Sequence, residues 1–282
     1  LLTSHPLDSS ALPALSKMAK VYGIRLTTSS YIRSLSYMPQ ALKEVISIHT
    51  LNAGVSPNRT LALYASMTAA MASQGISVPV GGVNEIALAL ARLADAAGAK
   101  IELGVAVTAI GNKLAKTEKS SYNFDHLVSS LDPGVLKSLQ TGKPNKLAKH
   151  RSCSGVAIYA VLRESLPEDV VTHSVIMPDD ADKLHQSLDS ALPPEQTMTF
   201  VNYYRAGEIY PNTKDTVAVL ITAPADGKKH DLNSEWVRNE LDRVSQKLGL
   251  KVAIDELFEE YEVLNPDYFA QFGAAGGALY GA

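Results

Sequence analysis

The chain has 282 residues, of which 46% are hydrophobic and 20% charged, the composition of a soluble globular protein with an ample core. Its formal net charge is -3, with 26 basic and 29 acidic side chains, so no overall field favours binding to nucleic acid. The single cysteine, Cys153, excludes an intrachain disulfide and indicates a reducing, cytoplasmic location. The length predicts two structural units or one large interleaved domain.

The region up to residue 77 is predicted to be helical. A short helix is expected at residues 10–22, and residues 31–49 form one helix or two that separate near Pro39. A further helix, over residues 58–73, is apolar nearly all round. Such a helix lies in the core, faces an apolar ligand or lies on a membrane surface, and the core is the simplest of these interpretations.

Residues 78–131 predict a helix followed by two strands. Two consecutive glycines let the backbone turn tightly, and a helix follows with Asn84 as its N-cap and Gly98 just beyond its end. Alternating apolar side chains over residues 101–107 predict a half-buried strand, and residues 126–131 predict a second, short strand.

The second half of the chain contains strands in series with few helices between them. An amphipathic helix is predicted over residues 234–248. The predicted strands are residues 154–162, 173–177, 197–204, 216–222 and 258–263. Because strands in series with few crossover helices pair mainly in antiparallel fashion, the pattern indicates an α+β fold.

The search for catalytic and metal-binding motifs gives no assignment. The sequence contains no HExxH, cysteine pair, GxSxG or P-loop, and its seven histidines are dispersed, so we predict no metal site. Cys153 has no identifiable histidine partner, which favours a buried structural thiol over a nucleophile. The glycines near the end of the chain, Gly273, Gly276 and Gly277, miss the spacing of a dinucleotide fingerprint and predict a loop of close backbone approach.

The order of several segments carries a family resemblance that no single motif carries. The segments include ISIHTLNAGVSPNRTLALYASMTAAMASQGISVPVGGVNEIALALARLADAAGAKIELGVAVTAI and LNPDYFAQFGAAGGALYGA. From about Tyr31 to its end, the chain resembles the phytoene desaturase family of flavin-dependent carotenoid desaturases. The most specific parts are residues 54–82 and 266–277, whereas the unit around Gly81 and Gly82 is shared with the wider amine-oxidase-like flavoprotein superfamily.

The resemblance implies a mixed α+β fold with a largely antiparallel substrate-domain sheet, covering helices and an α/β remnant of the FAD domain. Residues 1–77 would be the helical part of the substrate domain, residues 78–134 the FAD-domain insertion and residues 135–282 the sheet part. The family's GxGxxG segment and C-terminal glycine-rich segment do not occur here. We therefore expect an internal fragment of a longer protein, which also agrees with a first residue other than Met. FAD would be bound by the full-length protein and not by this fragment.

The resemblance also implies site residues and partners. The sheet would form the floor of an apolar tunnel for a long isoprenoid substrate, the loop at residues 272–277 would approach the flavin, and the parent enzyme would contact a membrane surface peripherally. No residue is assigned a catalytic role. The implied cofactor-binding residues are Gly81, Gly82 and Val107, and the implied substrate-lining residues are Leu63, Met67, Met71 and Tyr203.

Two alternatives stay open at this point. Another amine-oxidase-like flavoprotein would act on a different lipid or on an amine, and would place aromatic residues beside the flavin. A non-catalytic domain that binds apolar ligands would have an apolar tunnel without a path to any flavin position.

Overall fold

The computed structural model describes residues 11–66, 77–143 and 151–280. The α-helices in these ranges are α1 (Leu12–Tyr22), α2 (Thr28–Ser34), α3 (Gln40–Ile48), α4 (Asn84–Ala96), α5 (Pro133–Thr141), α6 (Ala181–Asp189), α7 (Glu235–Lys247) and α8 (Pro266–Gln271). Short 3₁₀ helices occupy His49–Ala53, Ala62–Ser66, Ile254–Leu257 and Ala275–Gly277.

The strands form two antiparallel sheets. A small sheet has the order β1-β2-β3 and the large sheet has the order β5-β6-β7-β4-β8. Every pair of neighbours in both sheets is antiparallel, so the predicted α+β class is confirmed. The strands are β1 (Val107–Gly111), β2 (Leu114–Thr117), β3 (Ser121–Asn123), β4 (Ser154–Leu162), β5 (His173–Ile176), β6 (Thr199–Tyr204), β7 (Thr216–Ala223) and β8 (Phe258–Leu264).

The main core lies between one face of the large sheet and helix α7. Alternate side chains of β4 and β7 point to this face, which period-two geometry requires of a strand with one buried side. They pack with Val237, Leu241 and Val244 of α7, which are fully buried. Glu240 on the same helix is also buried, and its carboxylate accepts hydrogen bonds from Thr199 Oγ1 at 2.6 Å and from Arg243. The helix is therefore fixed to the sheet by apolar burial and by a paired charge.

The N-terminal helices differ in part from their prediction. The predicted separation near Pro39 is confirmed, because α2 ends at Ser34 and α3 begins at Gln40. The predicted helix over residues 58–73 is wrong at its start: the chain turns at residues 57–60 and forms only a 3₁₀ helix at Ala62–Ser66, and residues 67–73 lie outside the described ranges. The turn is stabilised by pairing with the preceding segment, since Thr28 N–H donates to the Thr60 carbonyl at 2.9 Å.

The region of residues 78–134 contains the predicted helix but only part of the predicted strands. Helix α4 begins at Asn84, one residue after its N-cap Val83, so Asn84 is a first-turn residue and not the cap. Residues 101–106 and 126–131 are irregular, which corrects both strand predictions. A strand needs an edge to pair with, and the described part of the chain provides one only from Val107 onward, through β2.

Candidate functional site

The second face of the large sheet is not covered as its core face is. Because successive side chains alternate between faces, Tyr159 of β4 lies opposite the buried row. The backbone register aligns Tyr159 with Ala218 of β7 and Glu262 of β8, and Ala218 with Asn202 of β6. The Tyr159 side chain is 48% exposed in the middle of the sheet. We call this surface the open face.

The open face carries a cavity of about 750 Å³ at one end, which we call the outer cavity. Four tyrosines contribute to its lining, and the rings of Tyr204 and Tyr210 meet edge to face with centroids 4.8 Å apart. Such rings supply large apolar surfaces with a polar tip at the water boundary. The tyrosines of the outer cavity are Tyr159, Tyr204, Tyr210 and Tyr261.

A second cavity of about 280 Å³, the inner cavity, lies at the other end of the same face. It shares Tyr159 and Leu220 with the outer cavity, so the two cavities adjoin along the open face, and we call them together the groove. Along β7 the groove extends from Thr216 to Thr222, which corresponds to roughly 20 Å at the rise of a β-strand. It therefore suits an extended chain that lies parallel to the strands.

The groove is nearly free of charge. Among the described residues that line it, none is lysine, arginine or histidine, and the inner cavity has no charged side chain. Glu260 and Glu262 of edge strand β8 line the outer cavity. Their neighbour Glu259 forms an ion pair with Lys214 at 2.6 Å. The groove thus offers an apolar floor with a weakly acidic outer end.

The two consecutive glycines lie at the outer end of this groove. Both have positive φ, +89° for Gly81 and +101° for Gly82, a region that side chains other than glycine rarely adopt. A Cβ built on Gly82 would lie 3.3 Å from Tyr210 Cε1, and the next residue, Val83, lines the outer cavity. The structure therefore brings this predicted cofactor-binding turn against the open face.

The third predicted cofactor residue lies elsewhere. Val107 begins β1 and lines a separate cavity of about 510 Å³ on the small sheet, together with Glu102 and Tyr122. The Tyr122 hydroxyl donates to Glu102 Oε2 at 2.6 Å, and this hydrogen bond raises the pKa of Tyr122. Val107 and Val83, the residue after Gly82, thus line different cavities.

Tyr203, predicted to line the substrate tunnel, lies on the core face. It is 1% exposed, its hydroxyl donates to Asp215 Oδ2, and it accepts from the Leu166 N–H at 3.2 Å. Its neighbour Tyr204 lines the groove instead, as do Asn202 and Phe200 on the same face of β6. Leu63 is half-buried in its 3₁₀ helix and is not among the groove residues, while the positions of Met67 and Met71 lie outside the described ranges.

Of two groove tyrosines that the sequence interpretation missed, one had a signal in the sequence. Tyr159 alternates in β4 with Val156, Ile158 and Ala160, so the sequence places it on the opposite face of the strand. Tyr210 had no such signal, because it belongs to the connection after β6 and reaches the groove only through the tertiary fold. The alternation was therefore sufficient for one tyrosine and not for the other.

The glycine loop near the end of the chain shows the predicted close approach. A Cβ on Gly276 would lie 2.6 Å from the Ala225 carbonyl oxygen, and one on Gly277 would lie 2.4 Å from the Pro266 carbonyl oxygen. The Gly227 N–H donates to the Gly276 carbonyl at 2.9 Å. These glycines are therefore required by backbone packing within the chain itself.

The predicted cofactor-binding residues show how well the described chain fits FAD. The Gly81 and Gly82 peptides and the Val107 strand offer points of backbone approach, which fits contacts with parts of a flavin cofactor. The start of α4 carries Glu85, whose carboxylate disfavours a phosphate at that helix N-terminus. The described chain thus fits partial contacts with FAD but supplies no pyrophosphate cradle there.

Two further features of the described residues concern metals and membranes. Within residues 11–66, 77–143 and 151–280, no three His, Cys, Asp or Glu side chains are grouped so as to hold a metal ion. No helix in these ranges is both long enough and apolar enough to cross a membrane. Burial raises the pKa of the Cys153 thiol to about 12, so the thiol is protonated at neutral pH.

Comparison with known proteins gives a family and several relatives. The family described as flavin containing amine oxidoreductase matches residues 22–265. The 4,4'-diapophytoene desaturase (4,4'-diaponeurosporene-forming) of Staphylococcus aureus strain MRSA252 is 24% identical over 92% of this chain and 58% of its own length, and that of strain Newman gives the same values. The chain thus spans less than two thirds of these curated relatives. Cyclohexylamine oxidase from Brevibacterium oxydans IH-35A aligns with a TM-score of 0.49 and 15% identity, over 94% of this chain and 65% of that one.

Proposed function

Because the chain belongs to the family of flavin-containing amine oxidoreductases, we propose that it is the substrate-binding part of a phytoene-type desaturase. Such an enzyme inserts double bonds into a long isoprenoid by hydride transfer to FAD. The observation that carries the proposal is the groove along the open face, which has tyrosines in its lining, no charged side chain at its inner end, and an outer end against Gly82 and Val83. The Staphylococcus aureus relatives named as diapophytoene desaturases support this substrate class.

The chemistry of the reaction explains why the groove needs no catalytic triad. FAD bound by the complete protein would supply the hydride acceptor for this reaction, in which a proton also leaves the neighbouring carbon. The task of the protein is to hold a flexible hydrocarbon in register and to exclude water. Tyr159, Leu220 and Tyr204 do this by presenting apolar surface along the strands.

The domain assignment follows from the same proposal. Residues 1–77 and 135–282 form the helical and sheet parts of the substrate domain, and residues 78–134 form the FAD-domain insertion. Gly81, Gly82 and Val107 would contribute backbone contacts to FAD, and the pyrophosphate would be held by segments that this sequence does not include. The apolar face of α4, which has no buried residue here, would be covered by those segments. We accordingly propose that this chain alone binds FAD negligibly.

The proposed partners follow from the groove and the charge. A long isoprenoid resides in a membrane, so we propose that the complete enzyme docks peripherally on a bilayer from the cytoplasmic side. The net charge of -3 gives no support for binding to nucleic acid.

The test is to express the complete reading frame that contains this sequence and to supply phytoene in membranes. We expect bound FAD in the visible spectrum and new absorption from a longer conjugated polyene. Tyr159→Ala should lower polyene formation by about tenfold while FAD remains bound, because it removes the central apolar contact of the groove. Tyr37→Ala is the matched control, since Tyr37 is 81% exposed and does not line the groove.

Bound FAD without any polyene product would keep the family and reject this substrate. A protein without flavin would instead favour the non-catalytic domain that binds apolar ligands. A single visible spectrum, which reports both FAD and polyene, distinguishes these two outcomes from the expected one.

One observation favours a second candidate, an amine substrate. Glu260 and Glu262 lie beside the tyrosines of the outer cavity, and carboxylates with aromatic faces attract a cationic amine. The double variant Glu260→Gln, Glu262→Gln would then lower amine oxidation by about tenfold or more, since it removes the compensating charges. Under the desaturase proposal the same variant leaves turnover of the uncharged isoprenoid unchanged.

A further inference from the structure

The inner end of the groove has a wall made by the C-terminal segment. The Leu279 N–H donates to the Cys153 carbonyl at 3.2 Å, and the Tyr280 N–H donates to Ser152 Oγ at 3.1 Å. Tyr280 also packs so tightly against Gly54 that a Cβ there would lie 2.5 Å from Tyr280 Cδ2. These contacts hold residues 279 and 280 across the start of β4, where they face the inner cavity.

Gly155 lies in the floor directly beside this wall. It pairs with Thr222 of β7 and lines the inner cavity. A Cβ built on it would meet Leu279 Cδ1 and the Ile221 carbonyl oxygen at 3.6 Å, which is ordinary van der Waals contact. Its backbone is that of a regular strand, so a larger residue fits locally, and the atoms beyond Cβ would enter the cavity.

The charges around the groove define what occupies it. The inner cavity has no charged lining, so the end of a chain that reaches it is uncharged. Glu260 and Glu262 at the outer cavity have no ion-pair partner within the described chain, and they disfavour a carboxylate or diphosphate head group. These charges disfavour an anionic occupant at either end, and the neutral isoprenoid chain of the proposed function is the occupant that we adopt.

We propose that Gly155 determines the length of the uncharged isoprenoid that the groove accepts, by leaving the inner cavity open as far as Leu279. This rests on the proposed function. Because the groove runs parallel to β4 and β7, a side chain at its inner end limits how deeply a chain can enter from the Gly82 end. Short chains occupy the outer cavity alone and are not affected by residue 155.

The experiment measures ligand affinity and not turnover. The complete protein is loaded with the uncharged dye Nile red, which is then displaced by farnesol, geranylgeraniol or squalene, isoprenoids of increasing length. Gly155→Val should weaken squalene binding by about tenfold and change farnesol binding by less than about twofold, because the valine overpacks only the inner cavity. Leu279→Ala, which enlarges that cavity, should shift the preference in the opposite direction.

The matched control is Gly111→Val in β1. Gly111 also lies in a strand, without a positive φ, and a Cβ there meets nothing within 4 Å. Its affinities for the three ligands should equal those of the wild type. Circular dichroism melts of all variants report whether the fold is retained, and Leu279→Ala tests the inference independently if Gly155→Val does not fold.

The outcomes separate the two claims. Binding of all three isoprenoids with a length preference unchanged in both Gly155→Val and Leu279→Ala overturns the role of Gly155 and leaves the proposed function intact. A wild-type protein that binds none of the three isoprenoids overturns the proposed function, and this inference with it.

Discussion

Two adjacent tyrosines in β6 show how a single residue step changes the role of a side chain. Tyr203 points to the core face and is held by Asp215 and the Leu166 amide, whereas Tyr204 points to the groove and contacts Tyr210. Strand geometry requires that neighbours in sequence point to opposite faces. The hydroxyl of Tyr203 therefore contributes to folding, and the ring of Tyr204 is available to a ligand.

The Tyr203 hydroxyl predicts a stability effect that depends on pH. Burial on its own raises the pKa of Asp215, but hydrogen bonds from Tyr203 and from the Ala206 amide at 2.8 Å outweigh it and hold the pKa below its ordinary value. Ionised Asp215 therefore stabilises the fold above the ordinary aspartate pKa, and this contribution is lost as the pH falls through the lowered folded value. Tyr203→Phe should cost about 1 to 3 kcal/mol near neutral pH and less in acid.

Urea unfolding of the wild type and Tyr203→Phe over a pH series measures this difference. Tyr204→Phe is the control, since it also removes a tyrosine hydroxyl from β6 but on the groove face. A Tyr203→Phe penalty that stays constant down to the acid limit would contradict the coupling to Asp215.

At the scale of elements, helices α4 and α7 have similar amphipathic patterns and opposite surroundings. Each has 13 residues and an apolar face at helical spacing. In α7 that face is buried against the sheet, whereas no residue of α4 is buried. The pattern predicts a face that prefers to be covered, and only the neighbouring elements determine whether it is.

This contrast predicts unequal costs for the same substitution. Leu241→Ala in α7 removes a side chain that is 0% exposed and should lower the unfolding free energy by about 2 to 5 kcal/mol. Leu90→Ala in α4 changes a side chain that is 62% exposed and should cost no more than about 0.5 kcal/mol in this chain. Chemical denaturation of the two variants gives both values.

The Leu90→Ala variant also tests our proposal that further segments cover α4. In the complete reading frame, Leu90→Ala should become as costly as a core substitution if further segments pack on α4. Equal small costs in the short and complete proteins would show that α4 stays exposed.

At the scale of the whole molecule, stability is concentrated in the large sheet. Strands β4, β6 and β7 are hydrogen-bonded on both sides and carry the main core, while the small sheet has three short strands and one buried residue, Ile110. Local opening is least costly where few apolar contacts are lost. The two sheets should therefore differ in the free energy of local unfolding.

Amide hydrogen exchange measured by mass spectrometry tests this difference. Peptides from residues 84–123 should exchange at least about tenfold faster than peptides from β4 and β7, since each factor of ten corresponds to about 1.4 kcal/mol of opening free energy. Addition of squalene should slow exchange in β4 and β7 and leave the small sheet unchanged. Equal protection of both regions in the free protein would contradict the prediction.

The fold was readable from the sequence wherever a local pattern had a partner in the chain. All five strands of the large sheet form where the alternation predicted them, and α4 and α7 form where helical spacing predicted them. The strand expected over residues 101–107 forms only from Val107 onward, and the strand expected at residues 126–131 does not form, because alternation does not supply a pairing edge. The apolar tunnel floor that the resemblance implied stays a prediction, and of the two adjacent tyrosines of β6 the resemblance implied Tyr203, whereas Tyr204 lines the outer cavity.

The sequence by itself determined the fold class, the family and the sets of residues that share a face, since periodicity and the order of segments are both read directly along the chain. Only the tertiary structure decided which face of the sheet is open, because that depends on where α7 packs. It also decided that Tyr210 and Gly82 meet at one end of the groove and that Leu279 closes the other. These contacts join residues far apart in sequence, and no local pattern contains them.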